Sequence, residues 1–258
     1  MSTRGRLVLA LAAAVVGVAS GLGAEEPLPP RATVGTDSGG PLAPEQAAYD
    51  VQLYELDLTV DPAERTIRGA VTVTARMVEA AGRIRLDLDD RFAVASVERV
   101  AGDGATQPTA FDHDGQVLWV DLDPPPPAGE ELRLVVRYSG SPRVAPNPPW
   151  EGGFTWATTA DGRPWIGVSC QIDGSDLWWP SKDHPSDEPD DGARLRYTVP
   201  AGLEVAANGR LESVVDNGDG TRTWEWRVSS PINTYNVTFN AAPFEKIEAD
   251  YESVTGES

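Results

Sequence analysis

Ser169, Cys170 and His184 are the side chains with which this chain could do nucleophilic chemistry, and they fall within sixteen residues of one another. Gly167-Val168-Ser169-Cys170-Gln171 begins like G-x-S-x-G, the elbow that exposes a nucleophile on a sharp strand-to-helix turn. Gln171 replaces the second glycine, and the alternating strands and helices that such an elbow needs are absent. A Ser or Cys nucleophile with His184 as its base stays open on residue type alone. Metal chemistry asks for more. Catalytic zinc takes three protein ligands, usually including His, and this chain has only His113 and His184. Neither opens an H-E-x-x-H motif, whose spacing sets two imidazoles on one helical face. Calcium favours several oxygen ligands on a flexible loop. Asp183, Asp187, Glu188, Asp190 and Asp191 supply carboxylates, but not at EF-hand spacing, and no bidentate Glu follows Asp216 to Gly220. The plainer reading of both is a solvated acidic loop and a hairpin turn.

Five of the eight tryptophans (Trp150, Trp156, Trp165, Trp178 and Trp179) lie between Pro148 and Asp191. They would suit a carbohydrate or peptide platform, or packing between sheets, because an indole brings large apolar area and one donor. Cys170 is the single cysteine, so no intrachain disulfide framework exists. Asn236-Val237-Thr238 fits a glycosylation sequon but falls within a predicted strand.

The elements that must position these residues follow from composition. Arg4 and Arg6 precede an apolar run from Leu7 to Val18, with small residues after it. This reads as a signal peptide over 1–24; a retained membrane anchor is the other reading, and the run is short for a span. Export into an oxidising compartment implies that Cys170 is buried. Residues 25–48 are rich in Pro, Gly and Ala and read as a flexible linker. About 210 residues remain, enough for one large β domain or two small ones. The formal charge of −19 argues against nucleic acid as a partner.

Nearly everything after Tyr49 reads as strand. From Val51 to Val60 the set Gln52, Tyr54, Leu56, Leu58 and Val60 is mostly apolar, which predicts one buried face. Ile67 to Met77, Arg83 to Leu88, Val94 to Val100 and Leu132 to Tyr138 alternate similarly. Phe111 to Leu118 predicts a hairpin turning at Asp114-Gly115. Further strands are predicted at Ala193 to Val199, Leu203 to Ala206, Leu211 to Val215, Thr221 to Val228 and Ile232 to Phe239. Any helix is a single turn, near Ser186 to Asp190. The fold class is all-β, an antiparallel β-sandwich or saddle of sheets, with the folded domain over 49–250 and a tail over 251–258.

Three pieces of the aromatic segment occur in a telling order: Trp150-Glu151-Gly152-Gly153-Phe154-Thr155-Trp156, then Cys170-Gln171, then Trp178-Trp179-Pro180-Ser181-Lys182-Asp183-His184-Pro185. With Tyr49-Asp50-Val51, Thr66-Ile67-Arg68-Gly69, Asn208-Gly209-Arg210-Leu211 and Pro231-Ile232-Asn233-Thr234-Tyr235, they resemble the N-terminal β domain of aminopeptidase N-like zinc metallopeptidases (gluzincins). In that family this domain forms one wall of the active-site cleft. A Gln or Glu about nine residues before a Pro-Cys-x-x-Asp-like element helps hold the free α-amine of the peptide; the matching residue is Gln171, nine before Pro180. Its amide oxygen can accept from an ammonium group; a strand-end residue bonding local backbone is the alternative. Ser181 stands where many members have Cys.

The resemblance implies a non-catalytic domain of an exported, periplasmic or secreted, zinc aminopeptidase. Its partners would be the peptide N-terminus and a catalytic metallopeptidase domain. That domain would carry the zinc, and this chain would hold no cofactor or catalytic residue. The chain alone is then expected to show no aminopeptidase activity, and to expose an apolar patch bordered by Trp178 and Trp179. A stand-alone exported β-sandwich that binds peptides or glycans is the second expectation.

Overall fold

The computed structural model describes residues 41–170 and 172–246. A helical turn, α1 (Pro44–Ala47), leads into β1 (Tyr49–Asp61), β2 (Thr66–Met77), β3 (Arg83–Asp87), β4 (Phe92–Val100) and β5 (Thr106–Pro108). Next come β6 (Phe111–Asp114), β7 (Val117–Asp121), β8 (Glu131–Gly140), β9 (Gly153–Thr158) and β10 (Pro164–Ser169). The last strands are β11 (Ala193–Pro200), β12 (Glu204–Ala207), β13 (Arg210–Asp216), β14 (Thr221–Val228) and, after a 3₁₀ turn (Thr234–Asn236), β15 (Phe239–Ala242).

These strands form three sheets. The large one has the order β13-β14-β11-β1-β2-β8-β4-β5; a four-stranded sheet runs β12-β15-β10-β9, and a three-stranded sheet β3-β7-β6. One contiguous apolar core joins all three. The all-β, sheet-on-sheet expectation therefore holds, with one parallel pair, β1 and β11, in register from Tyr54 opposite Ala193 to Thr59 opposite Thr198.

Alternation predicted the buried face of β1 from Tyr54 onward, where Tyr54, Leu56, Leu58 and Val60 are buried. It placed Val51 on the opposite face. The register shifts between Val51 and Leu53, and this bulge turns Tyr49 and Val51 inward too. The Asp114-Gly115 hairpin is present, with Gly115 in the left-handed region at φ 62°. Two expectations fail. No helical turn forms over Ser186 to Asp190, where Asp187 N donates to His184 O at 3.2 Å in a simple turn. Ile232 to Phe239 is not one strand, because the Asn233 side chain accepts from Tyr235 N at 3.4 Å and starts the 3₁₀ turn. The sequon residue Asn236 thus ends a 3₁₀ turn rather than sitting mid-strand.

The outer face of the large sheet is polar. Arg133 and Arg194 both reach Glu55, at 2.9 and 3.3 Å, and Arg196 bridges Asp57 and Glu225 at 2.7 and 2.9 Å. Opposite charges on neighbouring strands stabilise the sheet modestly and leave this face as a self-paired ladder.

Candidate functional site

Trp178 and Trp179 are fully buried, so neither borders an exposed patch. They fasten the sheets together instead. Trp179 meets Tyr54 of β1 edge-on, with centroids 4.7 Å apart. Trp178 lies against Tyr197 of β11, Phe154 of β9 and Phe239 of β15 at 5.7 to 6.4 Å. Aromatic pairs in this geometry contribute about 0.5–1.5 kcal/mol each beyond their buried area. The five tryptophans form no common platform: Trp150 is 66 % exposed, Trp156 and Trp165 are half-buried, and the other two are core.

The residues after Trp179 hold the third sheet. Ser181 and Asp87, at the end of β3, exchange backbone hydrogen bonds at 2.7 and 3.1 Å. Lys182 N donates to Tyr54 Oη at 3.0 Å, and Lys182 Nζ to Tyr49 O at 2.6 Å. Its ammonium also pairs with Asp187 at 2.5 Å, with both side chains almost wholly buried. The predicted carboxylate group is therefore split: Asp183 and Asp187 are buried in separate roles, and Glu188, Asp190 and Asp191 are exposed.

Gln171, expected to bind substrate, lies outside the described residues; those on either side of it are described. Gly174 N donates to Cys170 O at 3.0 Å. On one side Cys170 is buried, and its sulfur accepts from Trp178 Nε1 at 3.3 Å. On the other, the Asp173 carboxylate accepts from Arg143 Nη1 at 3.0 Å and Gly152 N at 2.8 Å. Gly152 and Gly153 are needed there. A Cβ on Gly152 would strike Leu177, and one on Gly153, at φ 135°, would stand 2.7 Å from Arg143 O and Ala145 N. Val144, Trp150 and Ile172 are exposed on the segments that Asp173 ties together.

This frame does not suit covalent catalysis. Burial pushes the Cys170 thiol up to about 12, far from a ready thiolate. Ser169 Oγ donates to Glu151 O at 3.3 Å, and His184 Nδ1 pairs with Ser186 Oγ at 2.7 Å. β10 ends in a loop, not in an elbow entering a helix. The described side chains do not fit zinc either. His113 Nε2 lies 3.0 Å from Leu88 O, on a different sheet from the loop of His184. Among the described residues, no three His, Cys, Asp or Glu groups are arranged to hold a metal.

Sequence reasoning missed the buried carboxylates Asp87, Asp89 and Asp176, and the Asp173 clasp. A charged residue immediately before Leu177-Trp178-Trp179, an apolar stretch, was the available signal for Asp176.

The comparisons agree with this architecture. The model of the Peptidase M1 N-terminal domain matches residues 50–236. A glutamate-to-alanine mutant of the M1 zinc metallopeptidase from Deinococcus radiodurans, bound to a Tyr-Ser-Ala substrate, is 29 % identical with a TM-score of 0.65. The match covers 80 % of this chain and 45 % of that one. The M1 zinc metallopeptidase from the same organism without that mutation matches at 29 % identity and a TM-score of 0.63, covering 75 % and 42 %. A two-domain M1 zinc metallopeptidase mutant bound to L-arginine is 31 % identical, with a TM-score of 0.64 over 80 % and 44 %. The chain thus spans less than half the length of each of these relatives. No curated protein matches it. A three-sheet fold bolted by the Trp178-Trp179 segment, matched over most of its length, places this chain in the peptidase M1 N-terminal domain family.

Proposed function

We propose that this domain forms one wall of the peptide cleft of an exported zinc aminopeptidase, and that Gln171 receives the free α-amine of the substrate. The observation that carries the reading is the fastening of the 170–176 loop by Cys170 and Asp173, on a domain of the M1 family. Rigidly held flanking residues support this reading, because orienting a substrate requires fixed neighbours. Relatives carry a Tyr-Ser-Ala substrate or a free amino acid. The zinc and its activated water would belong to a partner catalytic domain. The role of this chain's own residues would be to bind and orient the amine and to shield the cleft wall from water. Residues 1–24 would direct export; the test is whether the secreted chain begins at Glu25.

The amine reading is tested in this domain joined to an M1 catalytic domain. A hydrogen bond to a charged group contributes about 1.5–3 kcal/mol. Gln171→Ala should then lower kcat/KM roughly 10- to 150-fold, at about 1.4 kcal/mol per tenfold. Gln171→Glu should retain activity, and N-acetylated peptides should be poor substrates for every form. An unchanged kcat/KM in Gln171→Ala on free-amine peptides overturns the assignment.

The second reading, a stand-alone exported β-sandwich that binds peptides or glycans, calls for both Trp178 and Trp179 buried and no exposed apolar patch; the first condition is met. Val144, Trp150 and Ile172 supply exposed apolar surface elsewhere. The two readings separate on whether the purified chain associates with an M1 catalytic domain.

A further inference from the structure

We infer that Asp176 and Asp183 share one proton, and that this proton clasps the loop ending at Asp176 to the Pro180–Asp183 segment. Both side chains are shut away from solvent, at 1 % and 5 % exposure. Asp183 Oδ1 is well supplied: it accepts from Ser175 N at 3.0 Å, Ser175 Oγ at 2.9 Å and Thr234 Oγ1 at 3.4 Å. Among the described residues, neither Asp183 Oδ2 nor Asp176 Oδ1 receives a hydrogen bond. The two orphaned oxygens border the same space beside Gly174. Gly174 sits at φ 95°, and a Cβ there would overlap Asp183 Oδ2 and stand 2.9 Å from Asp176 Oδ1.

Two ionised carboxylates cannot rest there. Each would be desolvated, and each would repel the other. One proton would let the two carboxyls join through an O–H···O⁻ hydrogen bond, among the stronger kinds in proteins. Nearby cations are engaged by other carboxylates. Arg85 grips Asp87 at 2.6 to 2.7 Å, Arg91 grips Asp89 at 2.8 Å, Arg143 holds Asp173 and Lys182 holds Asp187. Asp87 and Asp89 also face the pair and add negative field, whereas His184 favours ionisation of Asp183. The neighbouring Cys170 thiol stays neutral. Burial, then Asp183, raise Asp176 well above the ordinary carboxylate range, and burial raises Asp183. Among the described residues no third donor completes a metal site. The proton belongs to the pair, which titrates in coupled steps.

This inference does not depend on the aminopeptidase reading, and its test reads protons and folding, not turnover. The full chain, labelled with carboxyl-¹³C aspartate, is titrated from acid to alkaline pH by NMR. One resonance of the pair should remain that of a neutral acid at neutral pH. Asp176→Asn supplies a permanent N–H donor to Asp183 Oδ2; it should fold, lose that resonance, and abolish the loosening of the loop seen by hydrogen exchange at alkaline pH. Asp176→Ala, with no donor, should exchange faster than wild type at every pH. The inference is overturned if every aspartate of the wild-type chain is ionised at neutral pH, if a stoichiometric metal ion copurifies and its removal unfolds the loop, or if Asp176→Asn keeps the alkaline loosening.

Discussion

Replacing Lys182 by Met should unfold much of what the aromatic segment holds together. The Lys182 side chain is 5 % exposed, and its ammonium pairs with Asp187, whose side chain is 3 % exposed, at 2.5 Å. It also donates to Tyr49 O at 2.6 Å and lies 4.8 Å from the centre of the Tyr49 ring. Met keeps the volume and removes the charge, so Asp187 remains buried, held among the described residues by Val51 N at 3.3 Å. Breaking a buried pair by removing one partner costs about 3–5 kcal/mol. Total stabilities of domains are about 5–15 kcal/mol, so this loss approaches the threshold of folding. The assay is urea unfolding followed by tryptophan fluorescence, since Trp178 and Trp179 pass from core to solvent. Burial already raises Asp187, and Lys182 opposes that rise. Without Lys182 the carboxyl should rise further. A raised pKa stabilises the fold below the unfolded value and ceases to do so as pH climbs through the folded value. The deficit of Lys182→Met against wild type should therefore be small in acid and grow with pH. Lys182→Met with Asp187→Leu should recover most of the loss, because the uncompensated charge is gone. A deficit under about 1 kcal/mol at neutral pH, the scale of exposed pairs, or a double variant no better than the single one, would refute the reasoning.

Burial raises Asp87 from 3.8 to about 6, so its contribution to stability should fade as pH rises between those values. Asp161 and Asp219, both lowered by hydrogen bonds to nearby hydroxyl groups, act below that window; equilibrium unfolding at several pH values checks the sign. Gly153→Ala places a Cβ 2.7 Å from backbone atoms of Arg143 and Ala145 at φ 135°, and should cost more than about 1 kcal/mol, read as a fall in Tm. Cys170, buried and with its thiol near 12, should resist alkylation in the native chain and react on urea unfolding; fast native labelling would show that the loop opens.

The strands were legible wherever one residue in two is apolar and one face meets water, as in β2, β8, β11 and β14. They were not legible where a local device broke the period. The bulge at Val51 and Leu53 reversed the phase of β1, and Asn233 diverted the chain into a 3₁₀ turn. β9 and β10 escaped because glycines and tryptophans interrupt their alternation. The parallel pairing of β1 with β11 could not be read at all, since a pattern of faces says nothing about which strand lies beside which. The motif order around Trp150, Cys170 and Trp178 gave the family. It did not reveal that the two adjacent indoles are core, because an indole suits a core and an interface equally.

Those indoles explain why the motif is so dense. The two sit in a turn, where Trp178 N and Trp179 N both donate to Ser175 O at 3.2 and 3.3 Å, and from it Trp178 reaches the four-stranded sheet while Trp179 reaches β1. Ser181 then pairs with the end of β3, and Lys182 returns to β1 through Tyr49 and Tyr54. Five residues thereby contact all three sheets. The same segment places Asp183 against the loop that began at Cys170. Packing of the core and the fastening of Cys170 are consequently one arrangement. A substitution that loosens Trp178, which donates to Cys170 Sγ at 3.3 Å, should therefore disturb the candidate site through its frame without touching the side chain that is proposed to bind.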